Sequence, residues 1–411
     1  MADAIGKPDF HRAISDPYYF SGRKSLISEI QQESNKVWIL LGGSRIGKTS
    51  LLNALEWNFL AADSQPSGRV LPVLIDLNQV QPETLAHLRY LIVARLRKSI
   101  SRWQQVPNFS FQTPIRELYQ SYLKNVSDTQ VTINFLKQVG LKLELRNPHE
   151  NRRLSDEVFS ESLLQSLGEL RDLGFSNICC LFDNAEFIAK QDWATDAWNY
   201  FRSFQESKDN HVSSYVGLVF SGYRELKDYQ QKVGSPLLNI SNIRWLAPLS
   251  ESDVRNIISL REECAPLQLN EEDILSIIEW TGCHPCLIHS MLDALLAVSR
   301  TENTDYLTLV IEGLLDQQSD VFSSWWNEKD ALGRLENEDR LIYKAMMSCR
   351  EGGPKHIAKL SKKGAGKVKK TLQILCATGL ILEVGDGTYK IGSRLFEEWV
   401  VQNYKEEEST S

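Results

Sequence analysis

The stretch LLGGSRIGKTSLL, residues 40–52, follows a short apolar run and leads into a helix-like pattern, KTSLLNALEWNFLAAD. Gly42, four further residues and then Gly47-Lys48-Thr49 match the phosphate-binding loop pattern in full. Glycines let the backbone wrap closely around a phosphate chain, and a helix that starts there adds its free N–H groups and positive dipole end. Because strand, loop and helix occur in the required order, the stretch predicts a nucleotide-binding loop rather than a chance glycine-rich turn.

The residues of this loop have distinct expected tasks. Lys48 is expected to contact the β- and γ-phosphates of a bound nucleotide, and the Thr49 hydroxyl to ligate Mg²⁺. Consecutive backbone N–H groups should point inward as an anion nest. The predicted phosphate-binding residues are Gly42, Gly43, Ser44, Arg45, Ile46, Gly47, Lys48, Thr49 and Ser50.

Composition limits the possible functions. The chain has 411 residues, enough for two or three domains. Its net charge of -7 argues against a protein that coats nucleic acid over its whole surface, but allows a local basic patch. No apolar run approaches the roughly 18 residues that a membrane span needs. The seven cysteines suit a reducing cytoplasm, and the lone CxxC at Cys283 and Cys286 has no second pair that would predict zinc.

Apolar segments separated by helix-like patterns predict the other strands of the sheet. Strands that alternate with helices are typical of a doubly wound parallel α/β domain. We expect this domain to cover residues 1–249, with an irregular insertion at 104–150 in which LKLELR (141–146) alternates as an exposed strand would. The predicted strand segments are VLPVLIDL (70–77), NICCLFDNAEF (177–187), YVGLVFSGYRELKD (215–228) and IRWLAPL (243–249).

Asp183 ends the apolar strand within the second of these segments, where a P-loop protein usually carries its second magnesium-shell carboxylate. Many such ATPases place Glu directly after this Asp to activate the attacking water, but this chain has Asn184 there. Asn cannot accept a proton at neutral pH. The sequence therefore predicts weak hydrolysis unless Glu186 or another residue serves as the base.

Within the third segment the predicted strand ends at Ser221-Gly222, and Arg224 follows it. Because ligands bind at the carboxyl ends of parallel strands, Ser221 is a candidate for contacting the γ-phosphate or its water, and Arg224 for sensing the same charge. A helix-cap serine and a surface arginine are equally compatible with the pattern.

From Ser250 onward the pattern becomes helical. Ser250 and Asp253 have capping-box spacing, and Gly282 and Pro285 predict a turn in which the proline starts a helix. Three helices without strands predict a lid domain at 250–334, with Trp325 and Trp326 as packing residues.

Residues 335–402 predict three short helices and then two strands joined by an Asp386-Gly387 turn, the order of a winged helix. The lysines between Gly352 and Leu382, with no acidic residue among them, gather where the recognition helix would begin. They favour phosphate contact with double-stranded DNA over a solvated face or an internal packing element. The candidate DNA-binding residues are Lys355, Lys362, Lys363, Lys367, Lys369 and Lys370, with Lys359 nearby. The tail, 403–411, is expected to be disordered.

Taken together, the motifs resemble those of AAA+ and STAND P-loop ATPases, most closely the branch of origin-recognition-like ATPases and archaeal and bacterial ATPases. The segments that carry the resemblance are FSGRKSL, GGSRIGKTSLL, the Asp-ending strand, SPLLNI…LAPLSESDV and TGCHPCLIH. The resemblance covers roughly residues 16–400 and implies ATP and Mg²⁺ as cofactors. It assigns Phe20, Gly22 and Arg23 to the adenine pocket, the turn from Gly282 to Pro285 to closure over the base, and Ser221 to the position called sensor 1.

The chain departs from this family pattern at three places. Lys24 stands where the family has Glu, Asn184 follows Asp183, and Asn239-Ile240 occupies a position where relatives often carry Arg. The departures affect the predicted hydrolysis and activation by a neighbouring subunit, not nucleotide binding.

Two functions remain open at this stage. In the first, ATP–Mg binding repositions the lid and a basic winged helix on DNA. In the second, the protein is a signalling or defence-type STAND regulator whose partner is a protein encoded nearby, with the winged helix as an internal hinge. The sequence leaves the oligomeric state open, a homo-oligomer included.

Overall fold

The computed structural model describes residues 12–61, 69–104, 153–206, 211–232, 236–264, 267–298, 306–326, 334–385 and 387–404. The predicted insertion, apart from Gln104, and the predicted tail after Tyr404 lie outside these residues. Within them, no helix is long and apolar enough to cross a membrane.

The first half of the chain contains a five-stranded parallel sheet, as the sequence predicts. Its strands lie in the order β2-β3-β4-β1-β5, so the strand before the phosphate-binding loop has a neighbour on each side. The register pairs Asp76 with Asp183 and Leu41 with Gly222, which brings the ends of four strands to one edge. The strands are β1 Val37–Leu41, β2 Arg69–Asp76, β3 Phe175–Asp183, β4 Val216–Gly222 and β5 Ser241–Trp245.

Helices cover both faces of this sheet. Successive residues of a strand point to opposite faces, and β1 shows this: Ile39 packs into one apolar cluster and Trp38 into another. The α/β core is therefore doubly wound, as predicted. Its helices are α1 Lys24–Gln32, α2 Lys48–Ala61, α3 Leu77–Val80, α4 Leu85–Gln104, α5 Asp156–Asp172, α6 Glu186–Ala189, α7 Ala194–Glu206 and α8 Arg224–Lys232.

The region after the sheet is helical. Ser250 and Asp253 form the predicted reciprocal cap, with each backbone N–H donating to the other side chain, and Pro285 is the first residue of its helix. The expectation of three helices is wrong, because the apolar spacing resumes after residue 305. The described helices here are α9 Glu251–Cys264, α10 Glu271–Thr281, α11 Pro285–Val298, α12 Tyr306–Gln317 and α13 Ser319–Trp326.

The last part of the chain combines helices with a small antiparallel sheet of order β6-β8-β7. The predicted helices and strands are present, and a short strand and a final helix accompany them. Asp386 of the predicted turn lies outside the described residues. The elements are α14 Asn337–Cys349, β6 Glu351–Gly352, α15 Pro354–Ser361, α16 Ala365–Thr378, β7 Ile381–Glu383, β8 Tyr389–Ile391 and α17 Arg394–Tyr404.

One apolar core joins these two C-terminal parts. It extends from Val254 to Val400 and includes Trp325 and Trp326, both buried as expected. The predicted boundary at 334/335 thus falls within a single core rather than between two.

Candidate nucleotide-binding site

A cavity of about 440 Å³ lies beside the phosphate-binding loop. The N-terminal segment forms one wall and the start of α11 another, so three separate parts of the chain enclose it. Its lining combines apolar side chains such as Phe20 and Ile257 with cations such as Arg45 and Lys48, a combination that suits a base and a phosphate chain. The lining residues are Arg12, Ala13, Ile14, Phe20, Ser21, Arg23, Ser44, Arg45, Ile46, Gly47, Lys48, Thr49, Ser50, Asn184, Tyr223, Leu249, Ile257, Pro285, Cys286 and His289.

The loop has the backbone conformation that its glycines allow. Gly47 has a φ of 92°, in the region that favours glycine, and α2 begins at the next residue. Gly43 approaches α16 so closely that a built Cβ would lie 2.8 Å from Thr378 Cα, and its N–H donates to the Ala377 carbonyl at 3.0 Å. The loop is therefore in direct backbone contact with the C-terminal region.

Lys48 is buried and turned back onto its own loop. Its ammonium donates to the carbonyls of Gly42 at 3.2 Å and Gly43 at 2.8 Å, and lies 3.7 Å from the centre of the Tyr223 ring. Burial lowers the pKa of Lys48 from 10.5 to about 8, although the nearby carboxylates of Glu186 and Asp183 oppose this shift. A bound phosphate chain would give this ammonium a stronger, charge-assisted partner.

Asp183 and Thr49 lie together below the loop. The Thr49 hydroxyl donates to Asp183 Oδ2 at 2.6 Å, and the Ser221 hydroxyl donates to Asp183 Oδ1 at 2.5 Å. Two oxygen ligands side by side match the preference of Mg²⁺ for hard oxygen donors. The residues that would hold this ion are Thr49 and Asp183, with Ser221 orienting the carboxylate.

Two further side chains surround this carboxylate. Asn184 adopts a left-handed φ of 56° and donates from Nδ2 to Asp76 Oδ1 at 2.9 Å. Glu186 is buried, and neither of its oxygens makes a hydrogen bond of good geometry. Burial raises the pKa of Glu186, against weaker opposing effects of nearby backbone N–H groups and the Lys48 ammonium.

The residues expected near the base are only partly brought to the cavity. Phe20, Arg23 and Pro285 line the cavity. Arg23 donates to the Ile46 carbonyl and to the Ala247 carbonyl, both at 2.9 Å, and so joins the loop to the segment after β5. Gly22 does not line the cavity.

Gly22 has a φ of 94° and turns the chain past Asp253, whose side chain would lie 2.9 Å from a Cβ at this position. Ser50, although it lines the cavity, accepts a hydrogen bond from the Ile14 N–H at 3.0 Å.

Arg224 is not brought to the cavity. Its guanidinium contacts Glu336 at 2.6 Å and Asp339 at 2.5 Å, both at the start of α14. This candidate sensor therefore contacts the C-terminal region instead of the cavity. The other candidates, Lys48, Asp183, Glu186 and Ser221, lie together.

Tyr223 lines the cavity although the motifs did not single it out, whereas His284, within the predicted turn from Gly282 to Pro285, does not line it. Tyr223 directly follows the end of β4, a position that could have identified it. His284 is fully buried against Trp325, with a ring-centre distance of 4.9 Å, and has no hydrogen bond of good geometry at either ring nitrogen. Burial lowers the pKa of His284 to about 3, despite a weaker opposing contact with the Ser44 backbone, so the ring is neutral.

The candidate DNA-binding lysines lie around the turn from α15 to α16. Lys362 ends α15 with a left-handed φ of 53°, and Lys367 contacts Glu338 at 3.3 Å. Lys363 is half-buried, and the exposed ones are Lys355, Lys359, Lys362, Lys367, Lys369 and Lys370.

Comparisons with known proteins identify the fold. No family model matches the chain, and a search of curated proteins also found no match. Among solved structures, the Walker-type ATPase of Pyrococcus abyssi has a TM-score of 0.53 and 16% identity, covering 95% of this chain and 99% of that one.

Two other similar structures come from Aeropyrum pernix. The ORC2 protein (TM-score 0.48, 10% identity) covers 96% of this chain and 97% of its own. The ORC1 protein, solved in complex with DNA, has a TM-score of 0.39 and 14% identity. The match covers 96% of this chain and 95% of the ORC1 chain. Since both TM-scores lie below 0.5, the assignment rests on the Pyrococcus protein: this chain has the fold of that Walker-type ATPase, an α/β P-loop core followed by a helical C-terminal region.

Proposed function

We propose that the protein is an AAA+-type molecular switch that binds ATP with Mg²⁺ and hydrolyses it slowly. In this proposal, ATP binding is coupled to the engagement of DNA by a basic winged helix. The observation that carries the nucleotide assignment is the contact of Thr49 with Asp183 beneath a complete phosphate-binding loop. Both oxygens of Asp183 are already oriented, so the site needs little rearrangement to accept the ion.

Each of these residues has a role in binding. Lys48 contacts the β- and γ-phosphates, while α2 presents its N-terminal N–H groups to the phosphate chain. Bound Mg²⁺ would neutralise charge between the β- and γ-phosphates. Phe20 and Pro285 provide an apolar surface for the base.

Slow hydrolysis follows from the groups near Asp183. Asn184 cannot take a proton, and its amide is held by Asp76. Glu186, the alternative base, lies near the Lys48 ammonium, and neither of its oxygens makes a hydrogen bond of good geometry that would orient it towards an attacking water. The site therefore favours a long-lived ATP state over rapid turnover.

DNA engagement is proposed to occur through the exposed lysines of α15 and α16. Helix α16 has 14 residues and is therefore about 20 Å long. Near its C-terminal end, the Ala377 carbonyl accepts a hydrogen bond from the Gly43 N–H of the loop. Its N-terminal end carries Lys367 and follows Lys362. A single rigid helix thus runs from the phosphate-binding loop to the lysines, which supports coupling between nucleotide and DNA.

A second function, regulation of a protein partner with the winged helix as an internal hinge, also has support. The C-terminal region shares a core with α9–α13, and Lys367 is paired with Glu338 inside the chain. Both features are what an internal packing element would have.

Calorimetry with ATP and Mg²⁺ tests the nucleotide assignment. We expect binding to depend on Mg²⁺ and to be abolished by Lys48→Ala, because this variant removes the phosphate-facing ammonium. Equal ATP affinity in the wild type and the variant would refute the site.

A further inference from the structure

Tyr223 covers the phosphate side of the loop. Its ring lies over the Lys48 ammonium at 3.7 Å, and the side chain lines the cavity. Burial raises the pKa of Tyr223, and the nearby Ser44 side chain opposes this shift. The face of the ring therefore packs against the ammonium at the edge of the cavity.

Lys48 already has three neighbours in this arrangement, two carbonyls and one aromatic ring. An ammonium has three N–H groups, and Lys48 directs two to the carbonyls of Gly42 and Gly43 while the ring of Tyr223 covers it. A phosphate chain in the cavity would compete with the Tyr223 ring for this ammonium. A cation–π contact contributes less than a charge-assisted hydrogen bond to a carbonyl, so the ring is the partner most easily displaced.

The next residue along the chain connects this ring to the C-terminal region. Arg224 is buried and contacts Asp339, which is itself buried, and the more exposed Glu336. Asp339 also accepts the Glu336 N–H at 2.8 Å and so caps α14. Residues 223 and 224 are covalently adjacent, and no flexible segment separates the ring from the ion pair.

We propose that Tyr223 is the resting occupant of the phosphate side of the loop, and that a nucleoside triphosphate displaces it and thereby loosens the contact of Arg224 with the start of α14. This inference rests on the proposed ATP-binding function and assigns its switch to two residues. Triphosphate binding and the Arg224 contact oppose each other, so each must weaken the other by the same factor.

Hydrogen–deuterium exchange on the full chain, with and without ATP–Mg, tests the coupling. We expect ATP to slow exchange in residues 42–52 and to speed it in residues 337–349. In Tyr223→Ala, ATP should still slow exchange in the loop but no longer affect residues 337–349. Tyr223→Phe, which keeps the ring over Lys48, should retain the response.

Reciprocity supplies an independent measurement. Arg224→Gln and the milder Glu336→Gln should raise ATP affinity, Arg224→Gln by roughly fivefold or more. If Arg224→Gln fails to fold because Asp339 is left unpaired, Glu336→Gln still reports the direction. The matched control is Arg394→Gln, which breaks an ion pair of 2.7 Å with Glu279 between α17 and α10 that involves neither Arg224 nor α14, and should leave ATP affinity unchanged.

Two results would overturn the coupling while leaving the proposed function intact. One is ATP binding without faster exchange at 337–349; the other is unchanged or weaker ATP affinity in both Arg224→Gln and Glu336→Gln. Absence of ATP binding by the wild type would instead refute the proposed function, and this inference with it.

Discussion

Asn184 donates a hydrogen bond from its side-chain amide to Asp76 across the ends of two neighbouring strands, at 2.9 Å. An ionised carboxylate only accepts hydrogen bonds, so Asp76 fixes which way the amide points and leaves Asn184 Oδ1 as an acceptor. An acid on β2 and an amide after Asp183 thus form one hydrogen-bonded pair.

This pair determines how hydrolysis should respond to mutation. Wild-type turnover should lie well below the roughly 1–10³ s⁻¹ typical of enzymes. Asn184→Glu should raise it by supplying a base, but Asp76 would repel the new carboxylate. Asp76→Asn combined with Asn184→Glu restores an acid–amide hydrogen bond with the partners exchanged, and should raise the rate further, towards the 10²–10⁴-fold typical of a positioned base.

Phosphate release under saturating ATP–Mg measures these rates. The single variant Asp76→Asn is the control, because it changes the pair without supplying a base. Brisk hydrolysis by the wild type that persists in Glu186→Gln would show that the missing base has been wrongly identified.

ATP affinity should depend on pH through Lys48. Its pKa in the free protein is about 8, and bound phosphates must raise this value because they favour the charged ammonium. Below about pH 8 the lysine is already protonated and affinity should be flat. Above that pH, binding must take up a proton, so affinity should fall by up to about tenfold per pH unit until the bound-state pKa is reached.

Calorimetry in two buffers of different ionisation enthalpy detects this proton directly. Proton uptake should be close to zero at pH 7 and should grow between pH 8 and 9. Affinity that rises over that range would contradict the assignment of Lys48 as the titrating group.

The sheet could be predicted from the sequence, but the arrangement of several site residues could not. Apolar runs and the loop motif locate strands and Lys48 because these patterns are local. Arg224 shows the limit: its position after β4 is compatible with a sensor, but its partners Glu336 and Asp339 lie more than a hundred residues away in sequence. The same holds for Asp76 and Asn184, which only the strand order brings together.

Two glycines should respond oppositely to alanine. A Cβ at Gly217, in β4, would overlap the Ser34 carbonyl oxygen, and a rigid backbone atom cannot give way as a flexible side chain would. Gly217→Ala should therefore destabilise the protein by about 1–3 kcal/mol or more. Gly168→Ala, in the middle of α5 with open space around it, should stabilise by about 1 kcal/mol.

Thermal unfolding midpoints of the two variants measured side by side give the test. The midpoints should move in opposite directions from that of the wild type. A Gly217→Ala protein as stable as the wild type would mean that β4 and the backbone at Ser34 are packed less closely than described.

The lysines around α16 should bind duplex DNA through phosphates. Binding should weaken with salt at a logarithmic slope of about -0.9 per contacted phosphate. Replacing Lys362, Lys363, Lys367, Lys369 and Lys370 with Gln should flatten this slope and lower affinity similarly for all sequences. The helix should survive, since Gln is nearly as good a helix former as Lys.

Fluorescence anisotropy at two salt concentrations, with and without ATP–Mg, measures this binding. Lys24→Gln, on the exposed start of α1, removes one charge elsewhere and serves as the control. No binding by the wild type at low salt in either nucleotide state would make the C-terminal region an internal packing element and favour a protein partner.

The continuous core from Val254 to Val400 has a consequence for how such chains diverge. A recombination crossover near residue 334 would join half of one apolar core to a foreign half, and the hybrid would expose surface that each parent buries. The sheet's own clusters end at Leu246, and the C-terminal core starts at Val254. Descendants that acquire a new output are therefore expected to exchange everything after this short junction as a single inherited block.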